Sequence, residues 1–130
     1  MGTIDRGLPT GDYTLDGFET RFVIERKATT GEISQNIYEA RFKRELERLQ
    51  DFEHPFIIME FTIDDILKFP LDSGIPAYLW KKIRTTPSLL LAKIMELQLT
   101  YRTKFVFAGG NGKRVAACLL KRMTELYDKE

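Results

Sequence analysis

The chain has 130 residues, 43% of them hydrophobic and 30% charged, which suits one globular domain over residues 1–130 with a real core. Twenty Lys and Arg against nineteen Asp and Glu give a formal net charge of +1, so bulk charge neither demands nor excludes a nucleic-acid partner. The sequence shows no signal-peptide pattern and no apolar run of about eighteen residues, so we expect no membrane association. The single cysteine, Cys118, lies in the apolar pattern of the last predicted helix, where we expect it to be buried. A lone cysteine suits a reducing, cytosol-like compartment.

The first predicted elements form a β-hairpin. Residues 11–15 and 20–26 carry aromatic and β-branched side chains on either side of an Asp-Gly dipeptide, which favours tight turns. The second strand ends in a cluster of charges, Glu25, Arg26 and Lys27. Because side chains alternate along a strand, Glu25 and Lys27 are predicted to share one face and Arg26 to lie on the other.

A helix is predicted next. Thr29 and Glu32 have the spacing of a capping box, which predicts a helix that begins near Ile33. The apolar positions then move to nearly the opposite helical face, so we expect a break near residues 38–40.

The middle of the chain alternates between apolar and loop-forming segments. His54 and Pro55 end the second helix, and "FIIMEF" over residues 56–61 has the continuous apolar character of a buried strand. Thr62 is a candidate N-cap for a short helix. Residues 71–75 form the best loop candidate in the chain.

The last part of the chain predicts helices around one more strand. Residues 77–84 and 87–101 have helical patterns, "KFVFAG" over residues 104–109 predicts a strand, and residues 109–113 read as a turn into a final helix over 115–127. Strands separated by helices predict an α/β sandwich with a mixed sheet. We expect the apolar helices between residues 77 and 127 to form a homodimer contact.

The charged strand ends are the candidate site. Asp12 on the first hairpin strand and Glu25 on the second could hold Mg²⁺ or Mn²⁺ through hard carboxylate oxygens. The ammonium of Lys27 could orient or deprotonate water and offset charge on a phosphate. The same spacing also fits a solvated strand end with ordinary surface charges.

A resemblance to a known family adds to this pattern. The stretches "LPTGDYTL", "FVIERKATTGEI" and "RFKRELERLQDFEHPFIIME" resemble the nuclease domain of the XPF family, close to the short bacterial and phage ERCC4-type nucleases. The resemblance runs from about Leu8 to Leu126. It implies a three-layer restriction-endonuclease-like (PD-(D/E)XK) fold, with a central mixed β-sheet flanked by helices. It also implies divalent-metal-dependent cleavage of DNA at junctions of duplex and single strand, in DNA repair, recombination or phage DNA processing.

The resemblance assigns roles to the signature residues. It implies that Asp12 and Glu25 bind the metal ion, that Lys27 is the catalytic lysine and that Arg26 is the signature arginine, which either braces a neighbouring acid or contacts DNA.

Basic residues outside the signature are candidate DNA contacts. Arg41 matches a basic position of the family, and Arg44 lies on the same predicted helix. Lys113 follows the Gly-rich turn, which lacks the full P-loop spacing but could approach a DNA phosphate. Glutamates alternate with the helical arginines, so a solvated helix face with intrahelical ion pairs is the alternative.

Two departures from the family pattern affect the expected site. The family's first strand, with its Asp-x-Arg-Glu motif, is missing, and Asp5 is a candidate substitute for its acid. Gly31 stands where the family signature ends in Asp, and Glu32 is the neighbouring candidate for compensation. Glu60 ends the predicted strand as another accessory acid, with a structural role as the alternative.

The main functional expectation is therefore a metal-dependent DNA endonuclease in a bacterial or phage-infected cell, cytoplasmic and associated with the nucleoid. The alternative is a catalytically weakened module that binds DNA or a partner subunit. A site completed by a second chain is a third reading, and the missing strand would leave a sheet edge open for pairing between chains.

Overall fold

The protein is described by a computed structural model over residues 21–127. These residues contain three strands and five α-helices, and two short 3₁₀ helices lie before α4 and before α5. In chain order the strands and α-helices are β1 (Phe22–Lys27), α1 (Thr30–Asn36), α2 (Ala40–Leu49), β2 (His54–Met59), α3 (Ile63–Leu67), α4 (Pro87–Thr100), β3 (Lys104–Phe107) and α5 (Gly112–Tyr127). The 3₁₀ helices span Ala77–Lys82 and Gly109–Asn111.

The described strands form one parallel sheet in the order β1-β2-β3. The register places Lys27 opposite Met59 and Met59 opposite Phe107, so all three strands end at the same edge. The first strand of the predicted hairpin, over residues 11–15, lies outside the described residues.

Helices cover both faces of this sheet. One face carries the larger apolar cluster, with Val23 and Ile57 from the strands. The other face packs Ile24 and Ile58 against α5. The larger cluster also takes residues from α1, α2, α3 and α4: Ile33, Phe42, Leu46, Leu49, Ile66, Leu90 and Ile94. The predicted three-layer α/β fold, with a central sheet flanked by helices, is confirmed.

Local capping signals position α1 directly after β1. The Thr29 side chain accepts a hydrogen bond from the Glu32 N–H at 3.1 Å, so the predicted cap is confirmed. The Glu32 carboxylate accepts from the Ala28 N–H at 2.8 Å, and the helix begins at Thr30 rather than near Ile33. The break predicted near residues 38–40 is confirmed, because α1 ends at Asn36 and α2 begins at Ala40.

Two predictions about the last part of the chain need correction. Helix α5 begins at Gly112, three residues before the predicted start, and buries Gly112, Ala116, Leu120 and Met123. This buried stripe leaves Cys118 exposed, so the expectation of a buried cysteine is wrong.

Within residues 21–127, no helix is long and apolar enough to cross a membrane.

Thr62 and Asp65 form a capping box at α3. The Thr62 hydroxyl accepts from the Asp65 N–H at 3.1 Å, and the Asp65 carboxylate accepts from the Thr62 N–H at 2.7 Å. The hydrogen bonds from the Thr62 backbone and side chain lower the pKa of Asp65 below its usual 3.8. The predicted cap at Thr62 is therefore confirmed.

We expect Thr62→Ala to reduce the free energy of unfolding by about 1 kcal/mol, since it removes the cap. Because the folded pKa of Asp65 is depressed, its contribution is present above the unfolded pKa and is lost as the pH falls through the folded value. Urea titrations at neutral and acidic pH measure both effects. Ser88→Ala on the exposed surface of α4 is the control, and an equal loss in both variants would contradict the role of the cap.

Candidate active site

Glu25 and Lys27 lie side by side at the end of β1. Lys27 Nζ is 3.5 Å from Glu25 Oε1, and the two residues are only 9% and 6% exposed. They share the face of β1 that carries Val23, and Lys27 Nζ also lies 5.0 Å from the centre of the Phe42 ring on α2. The common face predicted from strand alternation is confirmed. The result is a buried carboxylate and ammonium at the carboxyl edge of a parallel sheet.

Arg26 points to the opposite face and contacts Glu60. Its Nη2 atom donates to both carboxylate oxygens of Glu60 at 2.8 Å. The Glu60 N–H also donates to the Lys27 carbonyl at 2.8 Å, and a Cβ built on Gly112 would lie 2.7 Å from the Glu60 side chain. Glu60 therefore contacts both the end of β1 and the start of α5. Arg26 therefore contacts a neighbouring acid, which is one of the two roles considered for it, and its contact with DNA stays a prediction.

We expect Glu60→Ala to lower the free energy of unfolding by about 2 kcal/mol, because it leaves the half-buried Arg26 guanidinium without this carboxylate. Glu125→Ala is the control, since Glu125 pairs with Arg122 at 2.9 Å on an exposed surface, where ion pairs contribute about 0–1 kcal/mol.

Urea denaturation of Glu60→Ala, Arg26→Met and the Arg26→Met, Glu60→Ala double variant measures the coupling between the two side chains. Additive losses from the Arg26 and Glu60 changes would contradict the bracing contact.

Gly31 allows a loop to pack against the first turn of α1. Its N–H donates to the Ser73 carbonyl at 3.0 Å, and a Cβ built on Gly31 would lie 2.3 Å from that carbonyl oxygen. The loop itself contains two residues with positive φ, Asp72 and Gly74. The departure from the family signature at Gly31 thus coincides with a close backbone contact that has no room for a side chain.

The candidate acids do not converge on one point in the described residues. Glu25 faces the Lys27 side of the sheet, Glu60 is engaged on the other side, and the Glu32 carboxylate is bound to the Ala28 N–H. Asp12 and Asp5 lie outside the described residues. In the part of the chain that the structure describes, no group of three His, Cys, Asp or Glu side chains could hold a metal ion.

The candidate DNA contacts other than Arg26 are solvent-exposed. Arg41 lies at the start of α2 and pairs with Glu39 at 3.5 Å. Arg44 is exposed one turn further along α2, and Lys113 is exposed in the first turn of α5. They therefore lie on both sides of the sheet, and their role in DNA binding stays a prediction.

Sequence reasoning missed the partners that surround the candidate site. Phe42 was visible only as a helical apolar residue, and Ser73 only as a loop residue. The glycine in place of the signature Asp was the one local sign that something packs closely against Gly31.

The described residues thus form a layered α/β fold with Glu25 and Lys27 at the carboxyl edge of its parallel sheet. Two similar solved structures are XPF from Aeropyrum pernix, with a TM-score of 0.63, and XPF from Aeropyrum pernix in complex with DNA, with a TM-score of 0.61. In both, the identity is 22%, and the match covers 92% of this chain and 52% of the other.

These structures support the XPF-type fold, and this chain spans about half the length of the solved chains, as the 52% coverage shows. Comparison with models of protein families and with curated proteins gave no match.

Proposed function

We propose that the chain is a divalent-metal-dependent DNA endonuclease that hydrolyses phosphodiester bonds and selects its substrate by DNA structure. The observation that carries this proposal is the buried pair of Glu25 and Lys27 at the carboxyl edge of the sheet, with Lys27 Nζ 3.5 Å from Glu25 Oε1. Open parallel sheets bind their ligands at this edge.

A structural role alone explains this pair poorly. Burying two charges costs several kcal/mol per ion before their attraction is counted, and apolar residues of similar size often stabilise a fold as well or better. Glu25 and Lys27 therefore support a catalytic site more than a packing contact.

The residues fit a metal ion only in part within the described structure. Glu25 offers a carboxylate, which is the donor that Mg²⁺ and Mn²⁺ prefer, and the proposal assigns the second carboxylate to Asp12. A divalent ion held there would polarise a phosphate ester and lower the pKa of water. Lys27 would offset the negative charge that develops on the phosphate and hold a proton at Nζ.

DNA as the substrate is supported by the neighbour that was solved in complex with DNA. The exposed side chains of Arg41 and Arg44 on α2 and of Lys113 on α5 could contact phosphates without reading sequence. A function in DNA repair, recombination or phage DNA processing is part of the same proposal.

The test is cleavage of labelled flap, fork, duplex and single-stranded DNA with Mg²⁺ or Mn²⁺. We expect cleavage that stops on chelation and falls at least about a hundredfold in Glu25→Gln. Glu47→Gln, an exposed change on α2, is the matched control and should cut at the normal rate. A folded protein that does not cut any substrate, or that cuts equally well as Glu25→Gln, would refute the nuclease proposal.

One observation favours a second candidate, a catalytically weakened module that binds DNA or a partner. The signature acid is replaced by Gly31, and the Ser73 carbonyl occupies the space that its side chain would need. A protein that binds DNA with chelator present but fails to cut with either metal would support this candidate.

A further inference from the structure

A second surface of interest is a groove beside α1. An open groove of about 450 Å³ lies between the end of α1 and the segment that contains the first 3₁₀ helix. We call it the Tyr38 groove, and define it by Tyr38, Ile75, Lys82, Arg84 and Thr85.

The charge of the Tyr38 groove favours an anion. Lys82 and Arg84 line it and are exposed, and its lining contains no carboxylate in the part of the chain that is described. Within residues 21–127 neither cation forms an ion pair. By contrast, Arg41 on α2 already pairs with Glu39. The cations of the groove are thus available to phosphates, which attract Lys and Arg without regard to sequence.

The groove also presents an aromatic ring in a fixed position. Tyr38 is 57% exposed, and its hydroxyl accepts a hydrogen bond from the Thr85 hydroxyl at 3.2 Å. The Trp80 indole donates to the Ile75 carbonyl at 2.8 Å and fixes the 3₁₀ helix to the loop. An exposed ring beside cations and apolar wall residues is what unpaired bases use for stacking.

Helix α1 connects the groove to the candidate active site. Tyr38 follows α1, the helix that begins three residues after Lys27. Ile75 belongs to the loop whose Ser73 carbonyl accepts from the Gly31 N–H in the first turn of that helix. A strand bound in the groove would therefore lead along α1 toward the end of β1.

We infer that the Tyr38 groove binds a single-stranded segment of DNA, with bases stacked on Tyr38 and phosphates on Lys82 and Arg84. Its volume of about 450 Å³ is in the range of pockets that hold single small molecules, which is enough room for an unpaired nucleotide. The inference rests on the proposed function for its DNA partner, and gives that enzyme a site for the unpaired arm of a substrate.

The test is binding of fluorescent oligothymidylate, measured by anisotropy in EDTA over a series of salt concentrations. For Lys82→Ala, Arg84→Ala we expect the slope of log K against log salt to become shallower by about 1.4, since each lost phosphate contact on a single strand contributes about 0.7. The matched control is Lys121→Ala, Arg122→Ala, because both residues are exposed on α5 across the sheet.

Tyr38 tests the stacking contact separately from the charges. Tyr38→Ala should weaken binding at least about fivefold, whereas Tyr38→Phe keeps the ring and should retain most of the affinity. If Tyr38→Ala has no effect and polyglutamate displaces the oligonucleotide, the groove binds acidic peptide and the inference is wrong.

This experiment separates the inference from the nuclease proposal, because binding is measured without metal or cleavage. A protein that binds single strands through the groove but does not cut DNA refutes only the nuclease. If the protein cuts DNA but all groove variants bind single strands normally, only the inference fails.

Discussion

Replacing Lys27 by methionine is expected to lower the rate of DNA cleavage by a factor of about 10²–10⁴, the usual contribution of a positioned proton-transfer group. Lys27 is 6% exposed, and its Nζ lies 3.5 Å from Glu25 Oε1. Methionine has a similar length and no charge, so it can keep the packing against Phe42 while it removes the ammonium. Because the change also leaves the buried Glu25 carboxylate without this ammonium, it should lower the stability as well, and cleavage rates are compared only where urea denaturation shows the variant to be folded.

Lys27→Arg separates charge from proton transfer. Arginine keeps the positive charge but is always protonated in proteins, so it should restore activity only if Lys27 acts through charge alone. Single-turnover rates over a range of pH, measured for both variants, distinguish the two roles. Lys43→Met, an exposed change on α2, serves as the control. If Lys27→Met cuts DNA within about threefold of the normal rate, Lys27 has no catalytic role of the size usual for such a group.

The parts of the fold that depend on local signals were predictable from the sequence. The cap at Thr29, the break between α1 and α2, and the cap at Thr62 are each encoded within a few residues. The strand alternation that places Glu25 beside Lys27 is equally local. These local features gave the helix boundaries and the shared face of Glu25 and Lys27, whereas the layered fold was predicted from the alternation of strands with helices and from the family resemblance.

The contacts that surround the candidate pair were not predictable in the same way, because they join distant segments. Arg26 meets Glu60 across 34 positions of the chain, and Thr85 meets Tyr38 across 47. The sequence around Cys118 did not show which face of α5 is buried, because apolar residues occur on more than one side of this helix. Only packing against the sheet decides which side is buried.

Gly31 links the packing to the proposed function, because the resemblance to the XPF family predicts aspartate at this position and a Cβ there would clash with the Ser73 carbonyl. We expect Gly31→Asp to lower the free energy of unfolding by about 1–3 kcal/mol or more, the cost of forcing atoms into a packed site. A Cβ at this position would lie 2.3 Å from the Ser73 carbonyl oxygen and 3.0 Å from the Ile75 side chain. The first of these neighbours is backbone, so a change of rotamer cannot relieve the contact.

Alanine at the same position isolates the contribution of Cβ. At an unstrained helical site, Gly→Ala usually stabilises by about 0.4–1 kcal/mol, so a loss of stability in Gly31→Ala would come from the contact with Ser73. Gly110→Ala is the matched control, because a Cβ there meets nothing within 4 Å in the described structure.

Urea denaturation and metal-dependent cleavage of the three variants test this reasoning together. We expect Gly31→Ala and Gly31→Asp to be destabilised, Gly110→Ala to be near neutral, and Gly31→Asp to cut DNA no faster than the unchanged protein. If Gly31→Asp is stable and cuts faster, the Ser73 loop can move aside, and the missing acid rather than the packing limits the site. If Gly31→Asp is destabilised without a gain in cleavage, packing of the Ser73 loop explains why glycine stands at this position.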